Sequence, residues 1–354
     1  MALRPRRFQR GVRREPRPAG RIPLLRVRRR ESRLPVRAIP RRGRLDEGSR
    51  GTLCVSFRYA APEAGGDPDA RSRDAEMRGS RMDVPFAKMH GAGNDFIVID
   101  DRAGRGLSAE SVAALCDRRR GVGADGLILV QPSAEAEFRM RYYNSDGGEA
   151  DMCGNGARCA ARFARDAGIA GAAMSFETRA GIVRAEIDGA LVRMRIGPVT
   201  GLRLRLSLEG VSGEVHFGVC GVPHAVVVDR DAFALARPEF AAFARRIRGN
   251  PGLGPAGANV DVVSVAGRDR CAYRTYERGV EDETLACGTG AVVVATVLAH
   301  LGLADGSLAC ETSGGDTLLV DVVPGPGGAE DARLAGPAVV SFRGSFSLED
   351  YERS

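Results

Sequence analysis

The chain has 354 residues, enough for one large or two ordinary domains, and 44% are hydrophobic, as in a globular protein with a substantial core. Its net charge of +7 is lopsided: residues 1–81 hold 23 Arg against 9 Asp and Glu, or +14, which leaves −7 for residues 82–354. No run approaches the ~18 consecutive apolar residues of a membrane span and no apolar segment follows the N-terminal arginines, so the composition speaks against a membrane or secreted protein and for the cytoplasm.

Residues 1–81 carry 18 Arg in their first 50 positions and eight Pro overall, with no sustained period. Such a stretch lacks the apolar density that offsets chain ordering, so a disordered Arg-rich extension is expected. A nucleic-acid arm, a transit peptide and sequence upstream of a start at Met82 compete as explanations. The scarcity of interleaved aromatics and the broken helical pattern favour the last, and no functional nucleic-acid partner is expected.

Beyond Met82, Phe96–Ile99, Gly126–Val130, Ala225–Val228 and Val260–Val265 are short apolar runs bounded by Gly, Asp or Pro, as strands should be. Helices are expected over Ser108–Arg118, with Ser108 as cap, and over Arg158–Asp166 and Val292–His300. The body is therefore mixed α and β. Its cysteines include no C-x-x-C pair, and the four histidines never stand at ligand spacing from one another or from a cysteine, so no metal site is expected.

Sliding the sequence against itself by 134 residues without gaps places Gly123-Ala124 on Gly257-Ala258, Tyr142 on Tyr276, Glu149 on Glu283, Cys153-Gly154 on Cys287-Gly288, Gly156-Ala157 on Gly290-Ala291 and Glu177-Thr178 on Glu311-Thr312. The body reads as two copies of one α+β unit related by a pseudo-twofold axis, with an active site in the cleft between them. Each copy carries a cysteine turn, Met152-Cys153-Gly154-Asn155-Gly156-Ala157 and Ala286-Cys287-Gly288-Thr289-Gly290-Ala291, followed by a helical run. Glycines let backbone amides approach an anion and a helix start adds unpaired N–H groups, an environment expected to lower the thiol pKa.

Two thiols on opposite sides of one cleft can invert a carbon stereocentre, one removing a proton from one face while the other delivers a proton to the opposite face. An α-carbon proton is hard to remove, and helix-terminal donors can stabilise the charge that builds on the carboxylate. Pyridoxal phosphate needs a Schiff-base lysine, for which only Lys88 is present, so no cofactor is expected. A redox disulfide is the other chemistry open to paired thiols. Cys116, Cys159, Cys220, Cys271 and Cys310 suit core or bystander roles.

Over residues 84–354 the chain resembles diaminopimelate epimerases, through Phe86-Ala-Lys-Met-His-Gly-Ala-Gly-Asn-Asp-Phe96, Gly121-Val-Gly-Ala-Asp-Gly126, Tyr143-Asn-Ser-Asp-Gly147, Gly221-Val-Pro-His224, Gly257-Ala-Asn259, Tyr276-Glu-Arg-Gly279 and both cysteine turns. The resemblance implies cofactor-independent interconversion of LL- and meso-diaminopimelate, a step toward lysine and peptidoglycan. It also implies two like-folded domains, residues 82–198 plus 337–354 and residues 199–336; a homodimer is compatible with it.

By the same resemblance Cys153 and Cys287 are the acid/base thiols, and His224 and Glu277 tune their protonation. Gly154, Asn155, Gly288 and Thr289 give donors to the reacting carboxylate, while Asn94, Asn144, Asn259, Glu277 and Arg278 hold the rest of the substrate. Amide side chains that both donate and accept, an Arg for carboxylate and a Glu for ammonium suit a ligand with two amino-acid ends. A proline-racemase-like isomerase, the rival within the fold, acts on a ligand lacking that second end. Val222 and Gly126 stand where family members often have Asn and some have Gln. Asp95 and Asp125 read as turn residues, and His90 is given no chemistry.

Overall fold

The computed structural model describes residues 83–351; the expectations for residues 1–82 and for the last three positions lie outside the described residues. Within the described residues, eighteen strands form one hydrogen-bonded sheet, laid down as two similar runs. The first run is β1 (Asp83–Gly91), β2 (Asn94–Asp100), β3 (Gly126–Gln131), β4 (Phe138–Asn144), β5 (Glu149–Ala150), β6 (Ala173–Thr178), β7 (Gly181–Asp188) and β8 (Leu191–Arg195). The second is β9 (Thr200–Leu206), β10 (Val215–Cys220), β11 (Val222–Val228), β12 (Asn259–Val265), β13 (Arg270–Glu277), β14 (Asp282–Thr284), β15 (Ser307–Glu311), β16 (Thr317–Gly325) and β17 (Gly328–Pro337), after which β18 (Val339–Ser347) closes the sheet. In the first run β2 lies parallel to β3 and β4 parallel to β6; in the second β11 lies parallel to β12 and β13 parallel to β15, the other pairings being antiparallel. Strand β18 returns to pair with β1, and β8 joins β17, sewing the two runs together.

Five helices serve this sheet among the described residues: α1 (Ala109–Cys116), α2 (Gly154–Asp166), α3 (Arg230–Phe233), α4 (Arg237–Arg248) and α5 (Gly288–His300). Each run curls around one of them, the first touching α2 through β1, β2, β3 and β8, the second touching α5 through β10, β11, β16 and β17. The inner strands are covered on both faces, which explains their unbroken apolar sequences. In β3, Ile128 and Val130 pack toward α2, while Leu127 and Leu129 pack with Val112 and Leu115 of α1. Helix α5 is apolar almost all round because sheet surrounds it: every residue from Gly290 to Leu298 is buried. Three successive valines, Val292–Val294, are poor helix formers by propensity, and burial against the surrounding strands overrides that preference.

Three sequence expectations are corrected. Helices α2 and α5 begin at Gly154 and Gly288, four residues before the expected starts, with Cys153 and Cys287 as extended N-cap residues at φ −133° and −124°. Glycine weakens a helix interior, yet first-turn amides have no intrahelical partner in any case, so it does not delay the start. Helix α1 ends at Cys116, short of Arg118, although Ser108 caps it as expected, accepting from the Ser111 N–H at 3.1 Å. Finally, the 134-residue register holds for the helices but slips by one in the strands before them. Tyr143 faces Glu149 and Tyr276 faces Glu283, so Tyr276 is the counterpart of Tyr143 and not of Tyr142. Five residues separate Tyr143 from its partner Glu149 and six separate Tyr276 from Glu283, and in a strand a shift of one exchanges the two faces.

Candidate functional site

The first turns of α2 and α5 meet where the two runs join. Asn155, buried at the start of α2, donates through Nδ2 to the Ala286 carbonyl oxygen at 3.4 Å, linking one cysteine turn to the other. Arg158, fully buried one turn further on, donates to Asn155 Oδ1 at 2.8 Å and to the Pro337 carbonyl at 3.3 Å. A Cβ on Gly288 would stand 3.9 Å from its guanidinium, so this cation lies at the seam. The Tyr273 hydroxyl donates to the Cys287 carbonyl at 2.8 Å and fixes the second turn from below.

Around Cys153 the partners are amides. Its Sγ–H donates to Asn94 Oδ1 at 3.7 Å, and Asn155 Nδ2 donates to the same oxygen at 3.3 Å. The other end of the Asn94 amide donates to Asp125 Oδ2 at 2.8 Å, which fixes which way the amide faces. Asp125 in turn accepts from Arg118 at 2.6 Å, and Arg118 also grips Asp95. Burial raises the Asp95 pKa, but hydrogen bonds from Arg118 and Lys88 outweigh it and hold the carboxyl well below its ordinary range. Asp95 and Asp125 also accept from each other's backbone N–H, as turn residues do, and Asp125 in addition holds the Asn94 amide.

Around Cys287 the partners form a chain. Thr289 Oγ1 lies 3.4 Å from Cys287 Sγ and 3.0 Å from His224 Nε2, while His224 Nδ1 lies 2.7 Å from Asp261 Oδ2. The second Asp261 oxygen accepts from the Thr275 hydroxyl at 2.6 Å, and both His224 and Asp261 are fully buried. Glu277 accepts from Thr284 at 2.6 Å, and burial raises its pKa above the ordinary carboxylate value. Asn259 Oδ1 accepts from the Arg278 backbone N–H at 2.8 Å, whereas the Arg278 side chain reaches only the Ala256 carbonyl, at 3.4 Å.

Neither thiol has the lowered pKa expected from its helix start. Burial raises both, Cys287 strongly, although the Gly156 and Asn155 amides pull Cys153 down and Thr289 and the Gly290 amide pull Cys287 down. Desolvation of a thiolate thus outweighs the two or three hydrogen bonds that each sulfur receives. The bystander thiols are simpler: burial pushes Cys116 to about 11 and Cys159 and Cys220 to about 12, leaving them inert. Cys271 and Cys310 lie 3.8 Å apart within the core.

The diaminopimelate epimerase family profile matches residues 86–201 and 218–325. The chain belongs to the diaminopimelate epimerase family. Over 279 residues it is 40% identical to the diaminopimelate epimerase of Gemmatimonas aurantiaca, covering 75% of this chain and 99% of that protein. Over 289 residues it is 39% identical to that of Aquifex aeolicus, covering 76% and 100%. Among solved structures, a hydroxyproline epimerase from Agrobacterium vitis superposes with a TM-score of 0.59 at 15% identity, covering 77% of this chain and 95% of that one. A PhzF-family phenazine biosynthesis protein from Bacillus anthracis gives 0.57 at 16% identity, covering 75% and 99%. These two likenesses show the shared two-domain α+β fold.

Against the family pattern, the structure explains Gly126. A Cβ there would come within 2.7 Å of the Tyr142 ring and 2.5 Å of the Tyr143 carbonyl. Tyr142 fills that space, and its hydroxyl donates to Asn144 Oδ1 at 2.9 Å. Sequence reasoning missed Tyr142, Asp261, Thr275 and Arg158. For Arg158 a signal was present, an arginine on the apolar face of an otherwise small-residue helix; the other three become visible only once strand register is known.

Proposed function

We propose that this chain interconverts LL- and meso-2,6-diaminopimelate by moving a proton at one α-carbon between Cys153 and Cys287. The reading rests on one observation above all: two cysteine turns, each an N-cap, are joined across the seam by Asn155 and the Ala286 carbonyl. A ligand carboxylate set between the starts of α2 and α5 meets amides of Gly154, Asn155, Gly288 and Thr289, which stabilise the charge that grows as the α-proton leaves. One thiolate takes that proton and the opposite thiol returns one to the other face. His224 serves Cys287 through Thr289, and Glu277, its carboxyl raised by burial, bears electrostatically on both sulfurs. Asn94, Asn144, Asn259 and Arg278 hold the distal amino-acid end.

The reading assigns no cofactor. Lys88 is committed to Asp95 at 2.6 Å and to the Gly123 carbonyl, and among the described residues no cluster of three His, Cys, Asp or Glu is placed to hold a metal. It places the first domain at residues 83–198 with 337–351 and the second at 199–336, supported by the pairing of β18 with β1. A homodimer and a cytoplasmic location complete it; no helix among the described residues is long and apolar enough to cross a membrane. The relatives at about 40% identity favour it over a proline-racemase-like or redox reading. Incubation with LL-diaminopimelate in deuterated water, without added cofactor, tests it: deuterium should enter the α-position as the meso isomer forms. Absence of exchange overturns the assignment.

A further inference from the structure

The two halves surround their thiols with different chemistry. Phe96 and Ile128 pack against Gly156 in the first half, and a Cβ there would meet Ile128 at 3.1 Å and Phe96 at 3.5 Å. In the second half the matching Gly290 faces Asp261, whose Oδ1 would lie 2.5 Å from a Cβ. His224 pairs with Asn259 across parallel strands as Phe96 pairs with Gly126, so His224 and Asp261 occupy the places of Phe96 and Ile128. An apolar pair in one half has become a buried acid and base in the other.

We infer that Asp261 is a positioning residue that makes His224 a base for Cys287 alone, through the Thr289 hydroxyl. The inference rests on the two-thiol reading above and adds a residue to it. Both Asp261 oxygens are occupied as acceptors, Oδ1 by the Thr275 hydroxyl at 2.6 Å and Oδ2 by His224 Nδ1 at 2.7 Å. A carboxylate accepts only, so Nδ1 carries the proton and Nε2 presents a lone pair toward Thr289. The Cys287 proton then passes to Thr289 Oγ1 while the Thr289 proton passes to His224 Nε2. The products are a thiolate and an imidazolium; the Nδ1 proton stays against Asp261, and no net charge enters or leaves the cluster. That balance matters in a site where burial opposes any new charge. Asp261 touches the imidazole directly and the sulfur only at a remove, so it stabilises the imidazolium more than it disfavours the thiolate. The other titratable groups facing this cluster are Glu277 and Tyr273 from β13, and Cys287 itself from α5. Cys153 has no such chain: its side-chain partner is Asn94 Oδ1 at 3.7 Å, and its other partners are the Gly156 and Asn155 backbone amides.

The test is site-resolved alkylation by iodoacetamide, followed by mass spectrometry across pH, in the full chain and in Asp261→Asn. The pH at which Cys287 begins to react should rise by about one unit, slowing its alkylation about tenfold at any lower pH, with Cys153 changed less than about twofold. Equal slowing at both thiols, or none at Cys287 in a folded variant, overturns the inference. Should Asp261→Asn fail to fold, the wild-type protein still decides: long-range nitrogen NMR should show His224 protonated at Nδ1, and a neutral ring protonated at Nε2 alone overturns it. If the two-thiol reading itself is wrong, wild-type protein will exchange no α-deuterium from diaminopimelate. If only this inference is wrong, wild-type exchange persists and the Asn variant matches it.

Discussion

Tyr273→Phe deletes one atom beneath the second cysteine turn, and the structure sets the size of the effect. The Tyr273 hydroxyl is buried and donates to the Cys287 carbonyl at 2.8 Å. Were that carbonyl then left without a donor, the cost would be about 1–3 kcal/mol. It is not, because the same oxygen also accepts the first helical bond of α5, from the Ala291 N–H at 3.0 Å. The loss is therefore that of one shared hydrogen bond, about 1 kcal/mol net, and a melting temperature lower by roughly 2–4 °C for a domain of this size. Because Cys287 still caps α5, the sulfur stays near its place and kcat should fall by less than the ~10²-fold that a 1 Å misplacement costs. Urea melts of both proteins, alongside coupled-assay kinetics, measure the two quantities. A loss of 3 kcal/mol or more would show that the helical bond does not hold the turn and that Tyr273 does.

Three further outcomes are expected. Cys153→Ala and Cys287→Ala should each lower epimerisation by about 10²–10⁴-fold, and the Ser variants should keep exchange only from the face of the remaining thiol, read by deuterium incorporation into each stereoisomer. Gly290→Ala should destabilise by about 1–3 kcal/mol in urea melts because its Cβ meets Asp261 at 2.5 Å, while Gly154→Ala, with nothing within 4 Å, should be neutral or gain up to about 1 kcal/mol. Asp95 has a folded pKa held below its unfolded value, so its contribution is complete above about pH 4 and is lost as pH falls through the folded pKa. Stability measured from pH 5 downward should therefore fall more steeply in wild type than in Lys88→Met, and identical slopes would refute the assignment.

Much of this molecule could be read from the sequence because its signals are local. Phe96–Ile99 and Gly126–Val130 announce buried strands, and Ser108 announces a cap, by residue type alone. The cysteine turns repeat at one spacing, so the helices that follow them were legible too. What was not legible depends on which face of a strand a residue takes. Asp261 reads as one acid in an apolar run, and only the parallel pairing of β11 with β12 puts its strand beside His224. The thiol pKa departs from its expectation for a similar reason: a helix start is visible in sequence, whereas the burial that outweighs it depends on how distant segments pack.

Strand β1 has its outer edge covered by β18, with Asp83 opposite Ser347. On a ribosome, the half containing Cys153 would emerge first yet wait for the last strand before its edge is covered, while the half containing Cys287 could close sooner. The interval leaves a row of unpaired backbone amides exposed on β1, where strands of neighbouring nascent chains can add. A frameshift or proteolytic nick near residue 338 would thus injure the half made earliest. For the same reason a circularly permuted chain that joins residue 351 to residue 83 and opens at an exposed loop would assemble that half from contiguous segments, and should fold faster than the natural order.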